Sequence, residues 1–234
     1  AQLFKIVVPL ARLAAIIKFS VAPTDIFGKK ILKLVIDIGN TRAKIALFSG
    51  KDLVEKIDVT FCTLKNIQNF VAKKKISSCI ISSVREIDSE ILSILDSYNG
   101  FILSESIPVP ITNHYKTTST LGQDRLAAIV GAYFLYPKKD IIVFDAGTCL
   151  TIDFLNKNGE YIGGRISPGI EIRYKALHTF TEKLPLIHKQ NHAPYFGNDT
   201  NSSILSGVLK GILAEVSSII SDFRLQKPDL VTIV

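Results

Sequence analysis

Two short apolar runs, residues 31–36 and 43–48, flank a polar turn and read as a β-hairpin bent at Gly39. Residues 64–75 place apolar side chains on a helical period, 78–83 form a short strand, 87–97 a second helix stopped by Asn99-Gly100, and 101–103 a further strand. A helix over 126–136, ended by Pro137, leads into another apolar run at 141–144. The strand 150–155 follows it and pairs with 161–166 across Asn158-Gly159, a dipeptide that favours a tight two-residue hairpin turn. A helix over 170–177, a long helix over 202–223 and an apolar strand at 230–234 close the pattern.

The turns of the two halves match. The first apolar run ends in Asp37-Ile38-Gly39-Asn40-Thr41 and the second, about a hundred residues later, in Asp145-Ala146-Gly147-Thr148. This internal repeat predicts two similar α/β subdomains facing one another across a cleft. A glycine lets an anionic oxygen approach backbone N–H groups, Thr and Asn side chains add donors, and an Asp at the strand end can hold a cation directly or through water. One Asp-x-Gly alone is ordinary turn chemistry, whereas two matched copies, each ending a buried strand, suit phosphates gripped from both sides. The segment Gly163-Gly164-Arg165-Ile166-Ser167-Pro168-Gly169 precedes a helix, and its glycines would admit a ligand or another backbone at close range. The run 73–75 is three lysines at the end of a predicted helix, where cations complement the helix dipole on a solvated face.

Apolar residues make up 47% and charged residues 21% of the 234, which argues against disorder and leaves room for one large domain or two modest ones. Lys and Arg outnumber Asp and Glu by 28 to 21, and a net charge of +7 suggests an anionic partner. Nucleic acid, a phosphate-bearing small molecule and a membrane surface all qualify. Much of the excess, however, falls in residues 1–30, where Lys5, Arg12, Lys18, Lys29 and Lys30 face the single acid Asp25. The remainder is only mildly basic and calls for neither nucleic acid nor membrane; no helix-turn-helix or aromatic-plus-basic stacking surface is evident. The longest apolar run of the leader, residues 13–17, is too short for a signal-peptide core or a bilayer span. A transit peptide, a surface-binding helix and an appended leader stay open for it. Because the sequence contains no Met, both of its ends are expected to be provisional. The three cysteines, Cys62, Cys79 and Cys149, are too scattered for a disulfide framework, which fits a reducing cytoplasmic setting. His188 and His192 share an i, i+4 spacing but sit between Pro185 and Pro194 without acidic or thiol companions, as solvated loop histidines do.

From residue 31 onward the chain resembles the type III pantothenate kinases, members of the actin-like ATPase superfamily. The resemblance is carried, in order, by Asp37-Ile38-Gly39-Asn40-Thr41-Arg42, by Leu121-Gly122-Gln123-Asp124-Arg125, by Asp145-Ala146-Gly147-Thr148 with Thr151 and Asp153, by the Gly163–Gly169 segment, and by Ala176-Leu177 leading to Thr181 and Leu184-Pro185. Asp-x-Gly-Thr marks only the superfamily; the Gly-x-Asp-Arg tetrad together with Gly-Gly-x-Ile-x-Pro-Gly is far more specific. The resemblance implies an α/β fold of two duplicated ribonuclease-H-like subdomains around a nucleotide cleft, residues 31–124 and 125–234, with 1–30 outside it.

It also implies ATP-dependent phosphorylation of pantothenate, the first step of coenzyme A synthesis, by a cytoplasmic homodimer using Mg²⁺ with ATP and a monovalent cation, K⁺ or NH₄⁺. By position, Asp37, Ile38, Gly39, Asn40, Thr41, Arg42, Ala43 and Lys44 would wrap the ATP phosphates, with Thr148 a further ATP contact and Asp145 the cation ligand. Asp124 would be the general base. Tyr115, Gly122, Gln123, Asp124 and Arg125 would contact pantothenate, and Thr200 would reach it across the dimer interface. The physics agrees with such roles, since phosphoryl transfer needs positioning, charge neutralisation and one base beside the acceptor hydroxyl, and an adjacent Arg offers a fixed cation to a substrate carboxylate. Taken alone, Asp124-Arg125 also reads as a charge pair at a helix N-terminus. Thr118 stands where the family usually has Pro, and the family continues past the position of Val234 into a Thr-Gly-Gly segment near the nucleotide and a final helix. The alternatives are a nucleotide-binding regulatory protein, a transcription accessory factor on the same fold, and a kinase for another small alcohol.

Overall fold

The apolar runs that open each half become central strands. In a computed structural model, which describes residues 32–50, 52–104, 107–188, 190 and 192–233, strand β1 (Leu32–Ile38) pairs antiparallel with β2 (Ala43–Ser49), and β2 with β3 (Asp52–Val59). The basic leader lies outside the described residues. On its other side β1 runs parallel to β4 (Ile76–Ser83), which carries β5 (Phe101–Ile102) at its edge, giving the order β3-β2-β1-β4-β5. Alternation along β1 decides which face meets which partner. Leu34, Ile36 and Ile38 are buried beneath helices α1 (Leu64–Val71) and α2 (Ser89–Ser97), against Ile67, Phe70, Ile91 and Ile94. Val35 turns the opposite way, with Ala46, Phe48 and Ile80, onto helix α3 (Gln123–Leu135).

The second half repeats the plan. β7 (Ile141–Ala146), β8 (Cys149–Leu155) and β9 (Glu160–Pro168) form an antiparallel meander, and β10 (Val231–Ile233) lies parallel to β7. The order β10-β7-β8-β9 thus reproduces β4-β1-β2-β3, with the two-residue strand β6 (Thr112–Asn113) added beside β9. Helix α3 lies between the sheets. Its Leu126, Ile129 and Val130 share one core with Val35 and Ile80 of the first sheet and with Ile141, Val143 and Tyr161 of the second. The outer face of the second sheet, Ile142, Phe144, Leu150 and Ile152, is covered by Ile219 and Ile220 of helix α5 (Thr200–Gln226). Helix α4 (Ile170–Thr179) packs its Tyr174 against Ile204, Leu205 and Val208 near the start of α5. With mean hydropathy 1.6 over its most apolar stretch, α5 is long and apolar enough to cross a membrane by composition, a test that a helix covering a sheet also passes.

Several bounds differ from the sequence expectation for identifiable reasons. α1 stops at Val71 because Lys73 adopts a left-handed φ of 63°; the lysine run then follows the helix, and Lys74 Nζ donates to the Phe70 carbonyl (2.6 Å) while pairing with Glu55 (2.7 Å). α3 begins at Gln123 rather than 126, so Asp124 and Arg125 occupy its first turn. β3 and β6 carry no apolar signature because both are largely exposed.

Candidate active site

Asp37 ends β1 opposite Lys44 on β2 and beside Ser82 on β4. Ile38 and Ala43 anchor the turn in the core, while Asn40, Thr41 and Arg42 stand exposed at its tip. The Gly39 amide donates to the Arg42 carbonyl at 3.0 Å, which closes the turn. Asp145 occupies the equivalent position at the end of β7, and there the Gly147 amide donates to the Cys149 carbonyl at 2.9 Å. The tip of this second turn, with Thr148, is likewise exposed. The end of β9 presses against it: Gly169 N–H donates to Thr148 O (3.1 Å), and a Cβ at Gly169 would fall 2.3 Å from the Gly147 carbonyl oxygen. The last glycine of the 163–169 segment therefore makes room for another backbone.

Asp124 follows the Gly122 cap of α3 and accepts a hydrogen bond from the Arg125 amide (2.8 Å). The residue is exposed to water, yet protein packs around its carboxyl. That partial desolvation pushes its carboxyl above the ordinary aspartate range; the Arg125 amide opposes the rise, the charge of Asp145 adds to it, and smaller contributions come from Arg125, which lowers it, and Asp153, which raises it. The fold has thus brought Asp124, from α3, into the electrostatic field of Asp145 on β7. A Cβ at Gly122 would lie 2.5 Å from Asp124 Oδ1, so a larger residue there would push the Asp124 carboxylate aside.

Arg125 points elsewhere. It is 5% exposed, and its Nε and Nη2 are spent on the buried carboxylate of Asp153, with Nε at 3.1 and 3.2 Å from the two oxygens and Nη2 at 2.6 Å from Oδ1. Tyr161 donates its hydroxyl to the same carboxylate at 2.7 Å. Tyr115 lies against the guanidinium, its ring 5.4 Å away and its hydroxyl 3.5 Å from Nη1, and stacks nearly parallel on Tyr161. The sequence offered Arg125 as a cation for a substrate; of its guanidinium nitrogens, Nη1 is the one not bonded to Asp153, and it faces the Tyr115 hydroxyl. Asp153 is a charge inside an apolar strand, which flags it in the sequence; no signal singled out Tyr161. A Cβ at Gly164 on β9 would collide first with the Ile152 carbonyl oxygen of β8, and then with Asp153 Oδ1 and Arg125 Nη2.

Thr200 opens α5, exposed, next to the Asp199 cap that holds the Ser202 amide at 3.0 Å. It lines a groove of about 990 Å³ with Pro168, Arg173, Leu177, Ile204 and Val208, and neither Asp124, Arg125 nor Tyr115 lines that groove. Gln123, on α3, keeps its Oε1 buried without a hydrogen-bond partner. Among the described residues no group of three or more His, Cys, Asp or Glu gathers as a ready metal cage. A divalent ion carried on phosphates needs only one or two protein carboxylates, and Asp37, with the buried, unpartnered Ser82 hydroxyl beside it, is the group that would fit one.

Two sheets of repeated strand order, enclosing a shared helix and presenting matched Asp-x-Gly turns, define an actin-like ATPase fold. The family model for type III pantothenate kinase matches residues 33–222, and the chain belongs to that family. Relatives bearing the same name come from Phocaeicola vulgatus (41% identity over 201 residues; 85% of this chain, 83% of the relative) and Bacteroides fragilis (40% over 201 residues, with the same coverage). A third, from Flavobacterium psychrophilum, is 40% identical over 198 residues, covering 82% of this chain and 80% of the relative.

Proposed function

We propose that this chain transfers the γ-phosphoryl group of ATP to the primary hydroxyl of pantothenate, giving 4'-phosphopantothenate at the entry to coenzyme A synthesis. The observation that carries this, within a chain matched to the kinase family over 33–222, is the Asp124 carboxylate, raised in proton affinity within the field of Asp145 and adjacent to an arginine pinned by Asp153. Residues 37–44 and Thr148 bind the phosphates through the two exposed turns. Asp37 would hold the Mg²⁺ that accompanies ATP, an ion that would neutralise phosphate charge. Asp145 would hold a monovalent cation, K⁺ or NH₄⁺.

Asp124 accepts the hydroxyl proton as the acceptor oxygen bonds to the γ-phosphorus and the bond to ADP breaks. Its raised proton affinity suits a base working near neutral pH. Tyr115, Gly122, Gln123 and the Nη1 edge of Arg125 orient pantothenate. Thr200 completes the site from the second copy of a cytoplasmic homodimer, and the exposed Leu213 on α5 and Phe180 after α4 supply apolar surface for that pairing. ADP release by the full-length protein, followed with and without pantothenate, tests the function: pantothenate-dependent release is expected, and ATP hydrolysis indifferent to pantothenate refutes it.

A further inference from the structure

We propose that Asp153 is a positioning residue for acceptor recognition: by holding Nε and Nη2 of Arg125 it fixes the guanidinium so that Nη1, on the Tyr115 side, is the nitrogen left for the acceptor. This rests on the kinase reading above. The arrangement is poorly explained as a device for stability, because a buried ion pair repays its desolvation only with good geometry and is often replaceable by apolar residues. Several features instead converge on one orientation of Arg125. Asp153 Oδ1 takes three donors, namely Arg125 Nε, Arg125 Nη2 and the Tyr161 hydroxyl, so the carboxylate cannot rotate without losing them. Tyr161, fully buried, is stacked on Tyr115 at 6.1 Å and 9°, and Tyr115 in turn flanks the guanidinium. Gly164 leaves room for the Ile152 carbonyl of the neighbouring strand and, beyond it, for the pair.

An unheld arginine would sample many rotamers and could turn toward the neighbouring Asp124 carboxylate. Held along one edge, it meets an anionic acceptor group at little further entropic cost. Asp153 therefore acts on the acceptor and not on ATP, a selectivity that a merely structural residue would not show.

The test is Asp153→Asn in the full-length protein, which keeps the shape and an acceptor oxygen but removes the charge. Losing a charge-assisted contact of this kind is expected to raise the pantothenate KM about tenfold to a hundredfold, with the ATP KM unchanged. A pantothenate KM within about twofold of wild type in a folded variant, or equal rises in both KM values, overturns the proposal. If Asp153→Asn does not fold, Tyr161→Phe removes one hydrogen bond from the same carboxylate; a severalfold rise in the pantothenate KM alone supports the role, and no change overturns it. A readout independent of turnover separates this inference from the kinase reading. The Arg125 Nε–H resonance, assigned by its loss in Arg125→Lys, should exchange slowly with water in wild type and rapidly in Asp153→Asn or Tyr161→Phe, and equal protection in wild type and variant overturns the proposal even if the acceptor proves to be another molecule.

Discussion

The amide of Gly169 donates to the carbonyl oxygen of Thr148 at 3.1 Å, which pins the end of β9 to the second Asp-x-Gly turn. Arg173 reinforces the contact from α4: its Nε donates to the Pro168 carbonyl at 2.8 Å, and its Nη2 reaches Ser167 while pairing with Glu215 on α5. The turn proposed to meet ATP is thereby fixed by a strand end and two helices.

Gly169→Ala should break this contact. The new methyl would meet Gly147 O at 2.3 Å and Thr148 O at 2.4 Å, both backbone atoms that cannot swing aside. Overpacking of this kind costs about 1–3 kcal/mol, and the displaced turn should raise the ATP KM more than the pantothenate KM, measured by steady-state kinetics beside a denaturant titration.

Asp124→Asn should lower kcat by about a hundredfold to ten-thousandfold, the usual worth of a general base. Stability should not suffer. A carboxyl whose pKa is raised on folding binds its proton more tightly in the native state, so stability falls as pH rises from the unfolded value, about 3.9, through the native one. At neutral pH the ionised group is therefore a cost that the amide lacks, and the amide oxygen can still accept from the Arg125 N–H. Thermal melts at pH 7 should give Asp124→Asn a midpoint no lower than wild type.

The same shift sets the acid limb of the activity profile. The base works only when ionised, so kcat/KM should decline on acidification around a pKa above that of a free aspartate. Asp145→Asn removes a neighbouring negative charge that helps to raise that pKa, so the limb should move to lower pH in this variant. Turnover in Asp145→Asn should also lose its dependence on added K⁺ or NH₄⁺.

Ile129 is fully buried where α3 meets both sheets. Ile129→Ala should destabilise by about 2–5 kcal/mol in a urea titration, since neither sheet can collapse into the vacated space without moving the other.

The two hairpins, the central strands and the long C-terminal helix were legible because each carries a strong apolar period with a Gly or Asn-Gly punctuation. β3 and β6 were not, since edge strands open to water have no buried face to announce them. The start of α3 was obscured because Gln123, Asp124 and Arg125 are polar residues that interrupt the apolar period at its first turn. Asp124 and Asp145 were proposed from their motifs, and the fold places them within each other's electrostatic field. Pairing of Arg125 with Asp153, 28 residues apart, depends on how two halves of the chain close on each other, and no local pattern encodes it. The glycines at 164 and 169 signalled close approach in the sequence, but only the fold identifies what approaches: the neighbouring strand's Ile152 carbonyl with an ion pair behind it at one, and a backbone turn at the other.

The most direct measurement is ³¹P NMR of the full-length protein incubated with Mg-ATP, K⁺ and pantothenate, run beside Asp124→Asn. Appearance of a phosphomonoester resonance matching 4'-phosphopantothenate in wild type, absent in Asp124→Asn, is the expected result. Consumption of ATP to ADP and inorganic phosphate with no phosphomonoester in wild type, or equal product from both proteins, would contradict the assignment of Asp124 as the base of a pantothenate kinase.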